Sequence, residues 1–537
     1  MSTRPRLALW LLCVVVYLCC APGRILYPDD EIVFQTTQSL WERGDLAIEG
    51  IPKRTGEPRG RPDGTFGWAP GVDGRRYGFF GHALSVVALP LYGLGRVATT
   101  EAPPAWRHVI RSDHFFMHRR SPQADWPRLT VSLTNCLVTA FAVLLLVEWL
   151  RALGYRDRIA MLTGLVYAFG TSAWAYSGTF LSEPLSAAAL LACATAIARF
   201  HRSRRQRTHR QPAHRRLWAA GLLAGLTVHI HVLNLLALPC LLGYALVPLH
   251  RDGAWTTERR AWVGAVALGT IGPVLLGVTQ AIRFGSPWET GRYDHYGYFV
   301  APFAGLVGQL VGPGRSLLLY SPALLVALWG WRRSIARHPA AAGMVISLAV
   351  IRWAFVSTRS DWWGGWGIGP RYLVPLIPLL LLPLAEVLED LRTAGRRRRV
   401  AVGLVLAGCV LVALHLSLHS IFEWMLRLMK TGTPQMGYLV RSHWVPSASP
   451  LWGFFSLPLD VLVVQAWRLA QHGHPGPWRI YLGLVGIGLA ASAYLTWWWR
   501  ACGDGPRDGS APSSSSGPEI TKTNATGTKA LTPPPPS

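Results

Sequence analysis

Three adjacent carboxylates, Asp29, Asp30 and Glu31, follow directly on an apolar run over Leu7–Ala21. Neighbouring carboxylates raise one another's pKa, and a low-dielectric boundary acts in the same direction. One member of the set could therefore serve as a general base toward a hydroxyl. Asp29 or Asp30 could instead cap the amphipathic segment Ile32–Leu40, which explains one carboxylate and not three. A further acid, Glu183, precedes Pro184 at the mouth of another apolar run. An ionisable group at such a depth is costly and calls for a partner, so it would orient an acceptor or pair with an Arg. The dipole of the helix it opens gives a plainer reason for a carboxylate there. Two cations, Arg315 after Pro313-Gly314 and Arg371 after Gly369-Pro370, stand at the starts of apolar runs. A helix N-terminus with free N–H groups and an Arg beside it suits a phosphate. Interfacial Arg residues that snorkel occupy the same positions.

Asp361-Trp-Trp-Gly-Gly-Trp-Gly-Ile-Gly-Pro is the most unusual loop. Its glycines let backbone approach a ligand, Trp362, Trp363 and Trp366 offer faces to a sugar ring or an isoprenoid, and Asp361 could accept from a sugar hydroxyl. An aromatic belt explains scattered Trp but not three Trp among four Gly. Glu289, Arg292, Asp294 and His295 form a second, less specific polar cluster. His229 and His231, two apart, fall on different faces of a regular helix, and His415 and His419 have no third ligand near, so no metal is assigned. The eight cysteines show neither CxxC nor metal-type spacing, and seven lie in apolar runs as small hydrophobes. No cofactor is assigned; a divalent cation is left open.

These residues must be positioned by a membrane protein. Half of the 537 residues are hydrophobic and only 15% are charged, against roughly 25% charged in ordinary soluble domains. The net charge of +25 does not point to nucleic acid, because the Arg sits in short blocks between apolar runs. The 25 Trp, 54 Gly and 39 Pro suit interfacial belts and tolerated helix breakers in lipid. Spans of about 20 residues are expected near Leu7–Ala21, Leu129–Leu150, Ile159–Tyr176, Pro184–Phe200, Leu217–His231, Leu233–Leu249, Trp262–Ile282, Leu317–Trp331, Ala340–Val356, Tyr372–Leu388, Val400–Phe422 and Ile480–Trp499. The fold class is thus all-α and polytopic, with about 12 transmembrane helices and juxtamembrane helices in a long first outer loop. The first run also has the shape of a signal peptide cut near Ala21; a retained first helix is simpler.

Arg151–Arg158, His201–Arg216, His250–Arg260, Arg332–His338 and Arg392–Arg399 all carry Arg and all fall on one side in this count, which the positive-inside rule makes cytoplasmic, with both termini. Arg396–Arg399 and His201–Arg216 would also touch anionic lipids. Tyr77–Arg96 is demoted to an interfacial helix, because counting it as a span would invert that charge pattern. Leu451–Trp467, with Pro458 and Asp460, competes less decisively. Residues 1–390 read as a catalytic transmembrane module with the outer loop 22–128, residues 391–500 as C-terminal helices with an outer loop, and 501–537 as a disordered tail. Asn524-Ala-Thr is a sequon that a cytoplasmic tail would leave unused. There is no fixed-period repeat and no matched pair of broken helices, which weakens an inverted-repeat transporter.

The chain resembles the membrane glycosyltransferases of the GT-C fold, in particular bacterial family-39-like members that use polyprenyl-phosphate sugars. The resemblance rests on passages in order: Asp30-Glu31-Ile-Val-Phe-Gln-Thr-Thr-Gln-Ser-Leu; Tyr77-Gly-Phe-Phe-Gly-His-Ala-Leu with Leu-Pro-Leu-Tyr; Ser182-Glu183-Pro184-Leu185; Arg283-Phe-Gly-Ser-Pro-Trp-Glu-Thr-Gly; Gly314-Arg-Ser-Leu-Leu-Leu-Tyr-Ser-Pro; and Trp362-Trp-Gly-Gly-Trp-Gly-Ile-Gly-Pro-Arg-Tyr. It implies an inverting transfer of a sugar to a hydroxyl on the extracytoplasmic side of the bacterial inner membrane. Asp30 would be the base, with Asp29 as alternative. Arg315 and Arg371 would hold the donor phosphate, and Glu183, Glu31, Asp361 and the Trp362–Trp366 loop would shape the sugar and acceptor pocket. The family often places Lys or Arg at the outer end of the fifth helix; here Val228-His-Ile-His stands in its place, so His231 would have to serve. The implied partners are a polyprenyl-phosphate sugar, membrane lipids and a glycan, lipid or protein acceptor, without nucleic acid. A transporter of lipid-linked glycans or lipids is the alternative.

Overall fold

The computed structural model describes residues 3–49, 67–101, 125–206, 210–291, 299–431, 437–458, 462, 464 and 475–501. Arg292, Asp294 and His295 of the second polar cluster lie outside the described residues, as do Cys502, Asn524 and the Pro-rich tail. The chain is an α-helical, multi-pass membrane protein. Among the described residues ten helices are long and apolar enough to cross a bilayer. Nine of them coincide with expected spans. The tenth is Ala83–Glu101, expected to lie on the interface. It packs along the amphipathic helix Pro28–Glu42, where Ser85 Oγ donates to the Val33 carbonyl at 3.0 Å. The one sheet among the described residues is a small antiparallel hairpin, Trp68–Pro70 with Arg76–Gly78, in the stretch that follows Pro28–Glu42.

The remaining three expected spans are broken, and the breaks have identifiable causes. Asp157–Phe169 stops at Gly170 and resumes as Ala173–Ser177. Leu317–Tyr320 stops before Pro322, which has no N–H to continue the ladder. The two breaks meet: the Ser172 N–H donates to Ser321 Oγ at 3.1 Å, and the two hydroxyls lie 3.0 Å apart. Hydroxyl side chains thus take up backbone groups that lipid cannot satisfy. Arg210–Leu226 passes into a short 3₁₀ turn at Thr227–His229, where the Thr227 carbonyl accepts from the Ile230 N–H and from the Asn234 amide, both at 3.0 Å. The sequence 451–467 does not form one long helix over its described part; it begins with single turns at Pro450–Gly453 and Phe454–Ser456.

The Arg-bearing loops gather at one end of the bundle. Glu148 there pairs with Arg6, Arg151 and Arg199, and Arg156 and Arg392 both reach Glu389. Arg158 donates to the carbonyl of Trp499 at this end, so the start of Thr3–Cys20 and the end of Pro475–Ala501 both lie there. Those two helices also pack along each other. The opposite end carries the end of Thr3–Cys20, the start of Glu183–Arg205 and the start of Arg371–Asp390, and so collects Asp29, Asp30, Glu183 and Arg371.

Elsewhere small residues let backbones touch. A Cβ added at Gly221 would stand 2.0 Å from the Ala265 carbonyl, and one at Gly272 would stand 1.9 Å from that of Gly225. This is the small-residue helix contact expected in lipid. Gly272→Val should therefore lower unfolding stability by about 1–3 kcal/mol through overpacking. Gly243→Ala, where a Cβ meets nothing within 4 Å, should leave thermal unfolding in detergent unchanged or slightly improved.

Candidate active site at the carboxylate end

The helix Pro28–Glu42 starts two residues earlier than an Asp29 cap would require and three earlier than an Asp30 cap would. Tyr27 is its N-cap, in extended backbone, and makes no side-chain cap bond; Pro28 takes the first helical position. Asp29, Asp30 and Glu31 are therefore all first-turn residues, free to point to three different partners.

Glu31 turns to Arg128 of the helix Asp125–Ser132. Arg128 grips it with two bonds, at 2.9 and 3.2 Å, and lies 4.6 Å over the Phe34 ring. Gln35 donates to the same carboxylate at 3.2 Å. This buried pair pins the acidic helix to the helix that opens at Trp126.

Asp29 and Glu183 turn to Arg371. Its guanidinium bridges them, with Nη1 2.6 Å from Asp29 and Nε 2.7 Å from Glu183. Three segments far apart in sequence are tied at one point. Glu183 is 2% exposed, and its second oxygen has no hydrogen-bond partner among the described residues. Asp30, 1% exposed, accepts from the Phe180 N–H at 3.1 Å on one oxygen, while the other has no described partner. Burial, and then the charges of Asp29 and Glu183, push its pKa well above the ordinary carboxylate range; the Phe180 N–H and Arg371 oppose this. Tyr27, packed edge-on against Phe422, lies in the field of Asp30, Arg371, Arg315 and Glu183 and has its phenol pKa raised, mainly by burial.

Arg315 has a different position from Arg371. It is wholly buried and its guanidinium donates to the carbonyls of Gly365 at 2.9 Å, Gly367 and Gly369. It therefore props the glycine loop from below. Gly364, Gly365 and Gly369 all have φ between 63° and 71°, a region that L side chains avoid. A Cβ at Gly364 would also stand 2.8 Å from that of Arg371. The loop folds closely over Arg371 because it is made of glycine. Asp361 is held by Arg359 at 2.8 Å and the Tyr372 hydroxyl at 3.2 Å. Trp362 and Trp363 both face His443, and Trp366 packs on Phe422 and Tyr438. His231 sits 6.0 Å from the Tyr372 ring, with Nδ1 accepting from the Leu233 N–H.

Sequence reasoning passed over three contributors. Arg128 looked like a loop end. The helices Ile421–Lys430 and Gly437–Trp444, whose Phe422, Tyr438 and His443 pack on the tryptophan loop, have no motif of their own. Arg352, 1% exposed in Pro339–Ser357, lies within the expected span Ala340–Val356 and could have been flagged on that ground alone. Beside the site, an apolar cavity of about 230 Å³ is lined by Leu317, Leu324, Trp331, Trp353, Leu373 and Leu376. Two of those residues lie two positions beyond Arg315 and Arg371. Among the described residues no cluster of three His, Cys, Asp or Glu could hold a metal ion.

Residues 122–268 match the family model of dolichyl-phosphate-mannose-protein mannosyltransferases. No curated protein matches the chain. Among solved structures, the chain is similar to ArnT from Cupriavidus metallidurans bound to undecaprenyl phosphate, with 15% identity over 91% of this chain and 76% of that one and a TM-score of 0.45. It is also similar to the apo oligosaccharyltransferase of Archaeoglobus fulgidus, with 12% identity over 85% of this chain and 64% of that one and a TM-score of 0.45.

Removing one partner of the Glu31–Arg128 pair strands a buried charge. Glu31→Gln should cost about 3–5 kcal/mol in unfolding stability. Glu31→Leu combined with Arg128→Met should cost less than the single substitutions summed, as read by denaturation in detergent.

Proposed function

We propose that the chain is an integral-membrane glycosyltransferase that moves a sugar from a polyprenyl phosphate to a hydroxyl acceptor on the extracytoplasmic side of the bacterial inner membrane. The observation that carries this reading is a buried, half-satisfied Asp30 standing next to Asp29, which together with Glu183 holds Arg371. A transfer of this kind needs both parts, a base for the acceptor and a cation for the leaving phosphate. The match of residues 122–268 to mannosyltransferases that use a lipid-linked donor supports it.

In this reading the acceptor hydroxyl gives its proton to the unpartnered oxygen of Asp30 as its oxygen attacks the anomeric carbon. The bond from that carbon to the phosphate oxygen breaks on the opposite face, so the configuration inverts. The products are the glycosylated acceptor and a polyprenyl phosphate that leaves with one more negative charge. Arg371 receives that charge by exchanging Asp29 for phosphate, while Glu183 keeps its orientation. Asp29 is the reserve base. Arg315 acts through the glycine loop and not on the phosphate directly, and the Trp362–Trp366 loop with Asp361 borders the sugar. His231 lies at the edge of the pocket, and Glu31 serves by aiming the acidic helix. The apolar cavity beside Leu317 and Leu373 offers room for the isoprenoid chain. Loops rich in Arg lie at the far end and face the cytoplasm with both termini.

Release of free polyprenyl phosphate from a panel of polyprenyl-phosphate sugars, with protein in nanodiscs, tests the reaction. Asp30→Asn should reduce the rate by about 100-fold or more with unchanged folding; full activity in that variant would refute the assignment. Lipid crossing without release would favour a transporter.

Asp30 must be ionised to act, and its raised pKa places the ascending limb of kcat/KM above the ordinary carboxylate range. Asp29→Asn, which removes a charge that raises the Asp30 pKa, should move that limb to lower pH. A limb that stays near pH 4 in wild type would contradict the role of Asp30.

A further inference from the structure

Arg352 is a charge the reaction above does not use. It lies within an apolar helix bordering the site, 1% exposed, and among the described residues it forms no ion pair with a carboxylate. A guanidinium at such a depth is costly and is retained where it has work to do. Its Nε donates to the Tyr372 carbonyl at 2.7 Å and its Nη1 to Asn234 Oδ1 at 2.9 Å. Asn234 in turn donates to Ser186 Oγ and to the Thr227 carbonyl, both at 3.0 Å. Ser186 stands one helical turn beyond Glu183, and Tyr372 is the residue after Arg371. The fork of Arg352 therefore joins the backbone under Arg371 to the helix that carries Glu183. The same Tyr372 is fixed at its other end by its hydroxyl on Asp361.

We infer that Arg352 is a positioning residue for phosphate recognition. Its planar fork locks the Tyr372 carbonyl and so sets the direction from which the Arg371 guanidinium meets a phosphate monoester at the membrane boundary. A lysine keeps the charge but has no fork to span two acceptors on different elements. The inference rests on the reading of Arg371 as the phosphate partner, and the experiment separates the two.

The full chain in nanodiscs would be titrated with undecaprenyl phosphate, with undecaprenol as the neutral control. Arg371→Gln should abolish the preference for the phosphate. Arg352→Gln should weaken phosphate binding about 10-fold with undecaprenol binding unchanged, and in the Arg371→Gln background it should add nothing, as coupled residues do. Arg352→Lys guards against a misfolded glutamine variant. It should weaken phosphate binding at least about threefold, again with undecaprenol binding unchanged. Wild-type phosphate binding in a folded Arg352→Gln or Arg352→Lys variant, alongside loss in Arg371→Gln, would overturn the positioning role and leave the reading of Arg371 standing. Wild-type binding in Arg371→Gln would overturn that reading, and the positioning role with it.

Discussion

A single guanidinium organises the carboxylate end of this protein. Arg371 joins the segment after the first helix, through Asp29, to the start of Glu183–Arg205. Each of the three groups would be expensive alone at a membrane boundary, and together they neutralise much of one another's cost. The arrangement carries two carboxylates for one arginine and places a third, Asp30, beside them with an oxygen left over. The charges of Asp29 and Glu183, with burial, favour a proton on Asp30, and in the proposed reaction Arg371 exchanges one of its acids for the phosphate.

Everything around the cluster serves to hold it. Arg128 fixes the acidic helix from the outside through Glu31. Arg315 props the glycine loop that closes over Arg371, and the positive φ angles of that loop explain why its residues are glycines. The tryptophans are fixed in turn by Tyr438, His443 and Phe422 from a segment late in the chain. The two broken helices meeting at Ser172 and Ser321 show the same economy lower in the bundle, where side-chain hydroxyls complete what the backbone cannot.

Much of this was legible in the residues. Length, apolar runs and Arg-bearing loops marked twelve spans, nine of which match continuous helices among the described residues, and the structure collects those loops at one end, in keeping with the charge pattern. The three acids after the first helix, Glu183 and Arg371 were each singled out by type and depth; Asp29, Asp30 and Glu183 gather around Arg371, while Glu31 turns away to Arg128. The breaks in Ile159–Tyr176 and Leu317–Trp331 were missed because hydropathy averages over a Gly-Thr-Ser or Ser-Pro interruption that only tertiary hydroxyl bonds make affordable. Arg315 and Arg371 looked alike, each an Arg beside Gly and Pro at a helix start. Only the packing separates them, because one faces carbonyls and the other carboxylates. The grip of Arg128 on Glu31 spans 97 positions, and no local pattern encodes such a pairing.

The most direct test of the central claim is an experimental structure with undecaprenyl phosphate bound. A phosphate oxygen within hydrogen-bond distance of the Arg371 guanidinium, with Glu183 still on Nε and Asp29 displaced, is the result the account predicts. A phosphate seated away from Arg371, with both acids still paired to it, would contradict the account.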